Sequence, residues 1–298
     1  MDGVSVGFYG LGQKQAGADV TIATLQTLSR MSWYELYEWS QEYGLCIVDE
    51  CHHIPATTFL RTISAIPARY RLGLTATPER HDRLTEFMVW SLGPVLVSFT
   101  VEEMEERGNT LPPSIYRLDT GWTPSDDDLR PYLRRRELAD DPVRNDQILT
   151  LVRESLASGR VVLVLVDLVQ HAKDLSEQID GSHVLVGEVS PKRRAEVLAA
   201  MSRDGGAVFA TTVADEGLDL PRLDTVVLAT PTGNTARIEQ RIGRALRPVA
   251  SNPDKRPIVF DLVDAWGPYR GAWRKRRRLY DSHRWEIVRS GQPFRSIL

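Results

Sequence analysis

Short apolar runs alternate with helical patterns along most of the chain, and this alternation predicts parallel β-sheets covered by helices. In the first third of the chain, the apolar runs predict strands at residues 4–8, 20–23, 45–48 and 71–74. The stretches between them predict helices at residues 32–43, 57–66 and 83–92. The first third therefore has the order of strands and helices expected of an α/β domain.

The same rhythm resumes after residue 146 and predicts a second sheet. Residues 161–166 are all apolar, which is typical of a parallel strand buried on both faces. Further strands are predicted at 183–186, 207–210, 225–229 and 258–262, and helices at 148–157, 168–179, 191–203 and 236–244. We therefore divide the chain into a first domain (1–95), an interdomain segment with one strand at 114–118 (96–142), a second domain (143–264) and a basic, aromatic tail (265–298).

Composition limits the function only loosely. A chain of 298 residues has room for about two domains, and its net charge of −3 means that any nucleic-acid surface must be local. The two cysteines, Cys46 and Cys51, lie on one predicted strand-to-loop segment, where a disulfide between them is improbable. The chain has no secretory signal at its start and no stretch of about 18 apolar residues, so the sequence predicts a cytoplasmic protein.

The first candidate site follows the predicted strand at 45–48. Asp49 and Glu50 come directly after its apolar residues, and Cys51 and His52 complete the sequence D-E-C-H. In phosphoryl transfer, one such carboxylate holds a hydrated magnesium ion, and its neighbour orients or deprotonates the attacking water. The alternative, a chance acidic turn after a strand, is favoured if the dipeptide is taken alone.

Three further motifs follow in order. Thr75 and Thr77 lie at a second strand end, in G-L-T-A-T-P. Gly217 and Asp219 follow the strand that ends near Thr211, where the glycine permits close backbone approach and the carboxylate can accept a ribose hydroxyl. In Q-R-I-G-R-A-L-R, the offsets of four and three between Gln240, Arg244 and Arg247 place them on one face of a helix, an arrangement suited to a γ-phosphate. A solvated basic face is the alternative for this last motif.

Together the four motifs resemble those of the superfamily 2 helicases and translocases, in particular their phage-type and DNA-repair-type members with a DExH box. The resemblance covers residues 4–262. It implies an α/β fold with two RecA-like parallel-sheet domains, the first incomplete at its N-terminus, followed by a basic C-terminal helical tail. It also implies ATP and Mg²⁺ as cofactors, DNA or RNA as partner with DNA favoured, and ATP hydrolysis in the cleft between the two domains.

The resemblance implies a role for each motif residue. Asp49 would hold Mg²⁺ through water, Glu50 would activate the attacking water, and His52, Thr75 and Thr77 would couple hydrolysis to domain movement. The resemblance further implies arginine fingers at Arg244 and Arg247, a water or phosphate contact at Gln240, a nucleotide site at Gly217 and Asp219, and contacts to the nucleic-acid backbone at Thr24 and Thr211.

One part of the family pattern does not occur in these 298 residues. No segment reads G-x-x-x-x-G-K-[ST], the loop whose backbone N–H groups and lysine bind the phosphates of ATP. Lys14 follows two glycines but precedes Gln15 instead of a hydroxylated residue. We expect strand edges and apolar faces of the first domain to be left unpaired. Either a separate polypeptide supplies the loop, or the chain is the carboxy-terminal piece of a larger protein, and alone it should be a poor ATPase.

The basic tail mixes cations with aromatic rings. Arg274, Arg276 and Arg277 could bind phosphates while Trp273 stacks on a base, which would suit a single strand or a duplex–strand junction. The alternative is a helix that docks its tryptophans on the second domain and leaves its arginines in solvent. The two interpretations are compatible.

Two rival functions remain open from the sequence. One is a non-catalytic nucleic-acid-binding or regulatory protein on a helicase scaffold, which would have no use for a water-activating Glu50. The other is a nuclease using Asp49 and Glu50, which lacks the further metal carboxylates that such a site needs. The sequence therefore favours the helicase or translocase.

Overall fold

The computed structural model of the chain describes residues 3–10, 12–53, 57–75, 85–211, 220–250 and 252–289. The chain divides into two compact units, Met1–Ser98 and Phe99–Leu298, which we call the first and second unit. Each unit is an α/β structure built on parallel strands, as the sequence predicts. Each is described by itself.

The first unit contains two small sheets and four short helices in its described residues. Its strands are β1 (Val6–Gly10), β2 (Gln13–Lys14), β3 (Val20–Ala23), β4 (Leu45–Val48) and β5 (Tyr70–Gly73). Its helices are α1 (Leu25–Leu28), α2 (Trp33–Ser40), α3 (Thr57–Ala65) and α4 (Thr85–Leu92). Strand β1 pairs with β2 in antiparallel and with β3 in parallel orientation, and β4 pairs in parallel with β5.

Helix α2 begins where its sequence provides a capping box. The Ser32 hydroxyl accepts a hydrogen bond from the backbone N–H of Glu35 at 3.2 Å, and the Glu35 carboxylate accepts one from the backbone N–H of Ser32 at 2.8 Å. The two bonds satisfy N–H groups that have no partner within the helix. The predicted helix at 32–43 is therefore confirmed, although it ends earlier, at Ser40.

The described residues of the first unit cover only one face of its two sheets. On the covered face, Val48 and Cys51 pack with Leu28, Leu36 and Met88 from the helices. The side chains at alternate strand positions point the other way and are apolar as well, yet they are 38 to 60% exposed. We call this surface the bare face; it consists of Val6, Phe8, Val20, Ile22, Leu45, Ile47, Tyr70, Leu72 and Leu74.

The second unit contains a seven-stranded parallel sheet in the order β12-β6-β11-β10-β7-β9-β8. Its strands are β6 (Ser114–Asp119), β7 (Val161–Leu165), β8 (His183–Leu185), β9 (Gly206–Ala210), β10 (Thr225–Leu228), β11 (Ile258–Val263) and β12 (Glu286–Arg289). Its helices are α5 (Val101–Glu106), α6 (Pro131–Asp140), α7 (Pro142–Ala157), α8 (Val169–Ser176), α9 (Pro191–Asp204), α10 (Thr235–Ala245) and α11 (Gly267–Ser282).

Helices cover both faces of this sheet. One core combines residues of α9, α10 and α11, such as Met201, Ile238 and Tyr280, with one side of the strands. The other core combines residues of α7 and α8, such as Val152 and Leu175, with the opposite side. Coverage on both faces explains why β7 is apolar at every position, since a parallel strand has no solvent side.

The structure differs from the predicted boundaries at both ends of the second domain. The segment 96–142 supplies β6, which pairs in parallel with β11 along six residues and is an inner strand of the sheet. The tail 265–298 supplies not only the predicted basic helix, α11, but also the edge strand β12. From residue 99 onwards, the predicted interdomain segment belongs to the second unit, as does the tail.

Two buried ion pairs fix the end of β11. Arg144 of α7 donates through Nε to Asp264 Oδ1 at 2.8 Å, and both side chains are fully buried. The Thr120 hydroxyl donates to the same carboxylate oxygen at 2.6 Å. Arg276 of α11 donates to both carboxylate oxygens of Asp261 at 2.8 and 2.7 Å. Buried charges are tolerated when paired in this way, and the pairs tie α7 and α11 to the central strands.

His171 makes the stability of the second unit depend on pH. Its Nε2 donates to Asn145 Oδ1 at 2.9 Å, and burial, assisted by the positive charge of Arg144, lowers its pKa from 6.5 to about 4. In the unfolded chain His171 therefore binds a proton near pH 6.5, whereas in the folded chain it does so only near pH 4. The contribution of His171 to the free energy of unfolding is fully present above pH 6.5 and is lost as the pH falls towards 4.

We expect the free energy of unfolding to fall by about 3 kcal/mol between pH 6.5 and 4 because of His171. In the variant His171→Gln, which keeps a donor for Asn145, this part of the loss should be missing. Urea unfolding of both proteins across this range measures the difference. If the difference in the free energy of unfolding between the two proteins did not change with pH, His171 would not be the source of the pH dependence.

Candidate functional site

The D-E-C-H segment continues the pairing of β4 with β5 beyond the strand ends. The backbone N–H of Leu74 donates to Val48 O at 2.9 Å, and the N–H of Cys51 then donates to Leu74 O at 3.0 Å. Because β4 and β5 run parallel, their carboxyl ends lie at the same edge. Residues 49–52 are therefore held beside Thr75, although 23 positions of sequence separate His52 from Thr75.

The two carboxylates form a tight turn at this edge. The backbone N–H of Glu50 donates to Asp49 Oδ1 at 2.9 Å, and Glu50 has a φ angle of +48°. This left-handed conformation costs a residue other than glycine roughly 1–3 kcal/mol, and such strain is commonly found at functional sites. Asp49 is exposed and Glu50 half-buried, so the turn presents both acidic groups at the carboxyl edge of the strands.

His52 joins the carboxylate turn to the end of β5. Its Nδ1 lies 2.9 Å from Thr75 Oγ1 and 3.3 Å from Glu50 Oε2. The structure thus brings together three of the predicted site residues of the first unit through a single imidazole nitrogen. His52 therefore contacts both the carboxylate turn and the end of β5.

The buried side chain of Cys51 anchors the turn to the core of the first unit. Its side chain is only 3% exposed, and its Sγ lies 3.5 Å from Met88 Sδ of α4. Burial raises the pKa of the Cys51 thiol, so it is an apolar anchor and not a reactive thiolate. Gly73 leaves room for it, since a Cβ at Gly73 would lie 2.8 Å from Cys51 Sγ and 2.6 Å from Leu92 Cδ1.

The second set of predicted residues lies on and after α10. The Asn234 side chain caps the start of this helix by accepting from the backbone N–H of Arg237 at 3.2 Å. Gln240 and Arg244 are half-buried and one helical turn apart. The helix ends at Ala245, so the prediction that Arg247 shares their helix face is wrong: Arg247 lies after the C-cap residue, in an exposed connection.

Lys255 holds that connection in place, and sequence reasoning missed it. Its side chain is 5% exposed, and its Nζ donates to the backbone oxygens of Arg247 at 2.7 Å and Pro221 at 3.2 Å. Burial lowers its pKa to about 8. It therefore links the end of the Q-R-I-G-R-A-L-R segment to the end of the G-L-D-L-P segment. A single lysine in a turn carries no periodic signal by which the sequence could reveal it.

Three predicted site residues, Thr77, Gly217 and Asp219, lie outside the described residues. Thr24 and Thr211, the predicted backbone contacts, are described. Thr24 precedes α1, and its Oγ1 lies 2.7 Å from Thr27 Oγ1. Thr211 follows β9 and is only 5% exposed.

The structure corrects half of the prediction for the tail. Arg276 is 1% exposed and paired with Asp261, and Trp273 is 6% exposed in the core, so neither side chain can contact a nucleic acid in this conformation. Both residues fasten α11 to the sheet. Arg274 and Arg277 point away from the sheet and are exposed. The docked-helix interpretation therefore explains the rings, and only the exposed arginines remain available for phosphates.

Neither a metal cluster nor a membrane span is visible in the described part of the chain. Over these residues, no three histidine, cysteine, aspartate or glutamate side chains form a group that could hold a metal ion. No described helix combines the length and apolar character needed to cross a bilayer.

Two family models match the chain. The helicase conserved C-terminal domain matches residues 144–249, and the res subunit of type III restriction enzymes matches residues 5–80. Rad25 of Halobacterium salinarum, named as a DNA 3′-5′ helicase, is 32% identical over 257 residues, which are 83% of this chain and 41% of Rad25. Helicase D10 of Escherichia phage T5 is 26% identical over 293 residues, which are 96% of this chain and 62% of D10.

The fold has counterparts among solved structures. A variant of Saccharomyces cerevisiae Dbp5 bound to RNA and ADP BeF3 matches with a TM-score of 0.68 at 12% identity, covering 97% of this chain and 71% of that one. The order of motifs, the parallel sheets and these matches agree, and the chain belongs to the superfamily 2 helicases. It spans about two fifths of the length of Rad25 and about three fifths of that of D10.

Gly73→Ala tests how the D-E-C-H turn is anchored. The added methyl group would overlap Cys51 Sγ in a packed core, so we expect a loss of about 1–3 kcal/mol in the stability of the first unit. Gly44→Ala is the control, because a methyl group there would meet nothing within 4 Å. Urea unfolding of both variants measures the effect. Equal stabilities would show that the turn does not depend on this contact.

Proposed function

We propose that the chain forms part of a nucleic-acid helicase or translocase that hydrolyses ATP. The observation that carries the proposal is the contact of His52 Nδ1 with both Thr75 Oγ1 and Glu50 Oε2. A binding module has no need for a carboxylate and a strand-end hydroxyl that share one imidazole. The name of Rad25 supports DNA over RNA as the nucleic acid.

The proposed roles in the first unit follow from its geometry. Asp49 is an exposed carboxylate directly after β4, which suits a magnesium ion held through water by few protein ligands. Magnesium, when bound, offsets the negative charge of the phosphates and orients them. Glu50, half-buried beside His52, takes a proton from the attacking water. Thr75 responds, through His52, to the protonation of Glu50. Thr77, which lies outside the described residues, is proposed to share this role.

The proposed roles in the second unit are electrostatic. Arg244 and Arg247 offset the charge that develops on the transferred phosphoryl group, and Gln240 positions a phosphate or water. Gly217 and Asp219 would receive the ribose. Thr24, Thr211, Arg274 and Arg277 remain the proposed nucleic-acid contacts. For Thr211 this requires its side chain, now only 5% exposed, to become accessible.

The phosphate-binding loop has to come from polypeptide outside these 298 residues, since no G-x-x-x-x-G-K-[ST] occurs within them. The bare face supports this part of the proposal. Its nine apolar side chains are 38 to 60% exposed, whereas parallel strands are normally buried on both faces. We propose that the polypeptide with the loop, joined to the chain or separate from it, packs on this face and completes the first unit.

Glu50→Gln tests the catalytic role. In the chain combined with a polypeptide that carries the loop, we expect kcat for nucleic-acid-stimulated ATP hydrolysis to fall about 10²- to 10⁴-fold, because the amide cannot accept the proton. The KM for ATP should change little. Glu42→Gln, at an exposed position between α2 and β4, is the matched control. Equal kcat values for the two variants would remove Glu50 from the mechanism.

Ile47→Lys tests the bare face. Residue 47 is 55% exposed, so the isolated chain should tolerate the lysine, but binding of the loop-bearing polypeptide would bury its charge. We expect its affinity for that polypeptide to fall at least about a hundredfold, measured by calorimetry. Gln41→Lys, at an exposed position after α2, is the control with the same charge change. Unchanged affinity for Ile47→Lys would show that the polypeptide binds elsewhere.

A further inference from the structure

Helix α11 has two faces that differ completely in chemistry. Trp273, Arg276 and Tyr280 face the sheet and are 6%, 1% and 0% exposed. The Asp261 carboxylate accepts hydrogen bonds from Arg276 and, at 2.8 Å, from the Tyr280 hydroxyl. A buried, bidentate ion pair with a third donor fixes the rotation of the helix about its axis. The outer face is consequently presented in one orientation.

The outer face is a row of cations. Arg270, Arg274, Arg277 and Arg278 are exposed and lie at offsets of four, seven and eight, which places them on one side of the helix over about 12 Å. Lys275, also exposed, flanks the row. The only acidic residue within α11 is Asp281, 3.5 Å from Arg277. Such a concentration of positive charge is unusual in a chain whose net charge is −3.

The row itself carries no aromatic ring: three rings of α11 and of its C-terminal connection are turned inward, and the half-buried Tyr269 packs against Trp122 and Trp266. Tyr280 and Trp285 are 0% and 4% exposed, and Trp273 lies with them in the same core. Proteins that hold single strands usually combine cations with exposed rings on which bases stack. A rigid row of cations without rings instead suits the regularly spaced phosphates of a duplex.

Helix α11 also packs against the connection that leads from β10 into α10, through residues outside the row. Arg276 Nη1 donates to Thr232 O at 2.7 Å, in the connection that leads from β10 into α10. A Cβ at Gly233 would lie 3.3 Å from Lys275 Cδ, so the side chain of Lys275 passes over the same connection. These contacts tie α11 to the element that carries Gln240 and Arg244, so the row has a fixed position on the second unit.

We propose that the outer face of α11 binds the phosphate backbone of double-stranded nucleic acid without reading its bases. The inference rests on the proposed helicase or translocase function, and it identifies double-stranded nucleic acid as the substrate that the second unit binds. The affinity that the cations supply depends on salt because each neutralised phosphate releases counterions.

The test is the triple variant Arg274→Gln, Arg277→Gln, Arg278→Gln in the full chain. Binding to a fluorescent 20-base-pair DNA duplex is measured by anisotropy from 50 to 300 mM salt. We expect the slope of log affinity against log salt to become shallower by about 2 to 3, and duplex affinity at low salt to fall at least about tenfold. Binding to a single strand of the same sequence should change much less.

The control removes three exposed cations that each pair with a neighbouring acid: Lys173→Gln, Arg193→Gln, Arg203→Gln. An unchanged salt slope in the α11 variant would overturn the proposal. So would a loss of duplex affinity in the control variant equal to that in the α11 variant. A loss of single-strand affinity in the α11 variant equal to its loss of duplex affinity would overturn it as well. Circular dichroism confirms that the variants are folded. Failure of the proposed function is seen separately, as absent ATP hydrolysis in the unsubstituted protein combined with the loop-bearing polypeptide.

Discussion

A parallel β-sheet must be covered on both faces, and the two units of this chain meet that requirement differently. In the second unit, α7 and α8 cover one face and α9, α10 and α11 cover the other. In the first unit, the described helices cover one face only, and apolar residues such as Phe8 and Ile47 remain exposed on the other. Within the described residues, the first unit thus leaves one apolar sheet face exposed, and this is the face on which we propose that the polypeptide with the phosphate-binding loop packs.

The same strands that leave one face bare hold the candidate site in place at their carboxyl ends. The pairing of β4 with β5 continues through Leu74 and Cys51, and this brings His52 to Thr75. The strained backbone of Glu50 persists because Cys51 is buried immediately after it. Packing, backbone pairing and the chemistry of the turn thus depend on one another. A polypeptide that covers the sheet would also stabilise the strands that carry the site.

Much of this architecture follows from the sequence. The apolar runs predict β3, β4 and the strands β6 to β11, because a run of four to six apolar residues between turns has few alternatives in an α/β chain. The short edge strand β12 was not predicted, since Glu286 and Arg289 flank only two apolar residues. The burial of the Trp273 and Arg276 side chains could not be predicted either. Whether a ring or a guanidinium faces inward depends on a partner, here Asp261, that is distant in sequence. Lys255 is hidden for the same reason: its acceptors are backbone oxygens.

The central claim is that the chain carries the water-activating and arginine sides of an ATPase whose phosphate-binding loop lies in other polypeptide. The most direct test is nucleic-acid-stimulated ATP hydrolysis by the 298-residue chain, measured alone and after addition of a polypeptide that bears G-x-x-x-x-G-K-[ST] and is encoded upstream of or beside it. We expect negligible hydrolysis by either polypeptide alone and stimulated hydrolysis by the mixture or the joined protein. Full activity of the chain alone, or no activity of the combination, would contradict it.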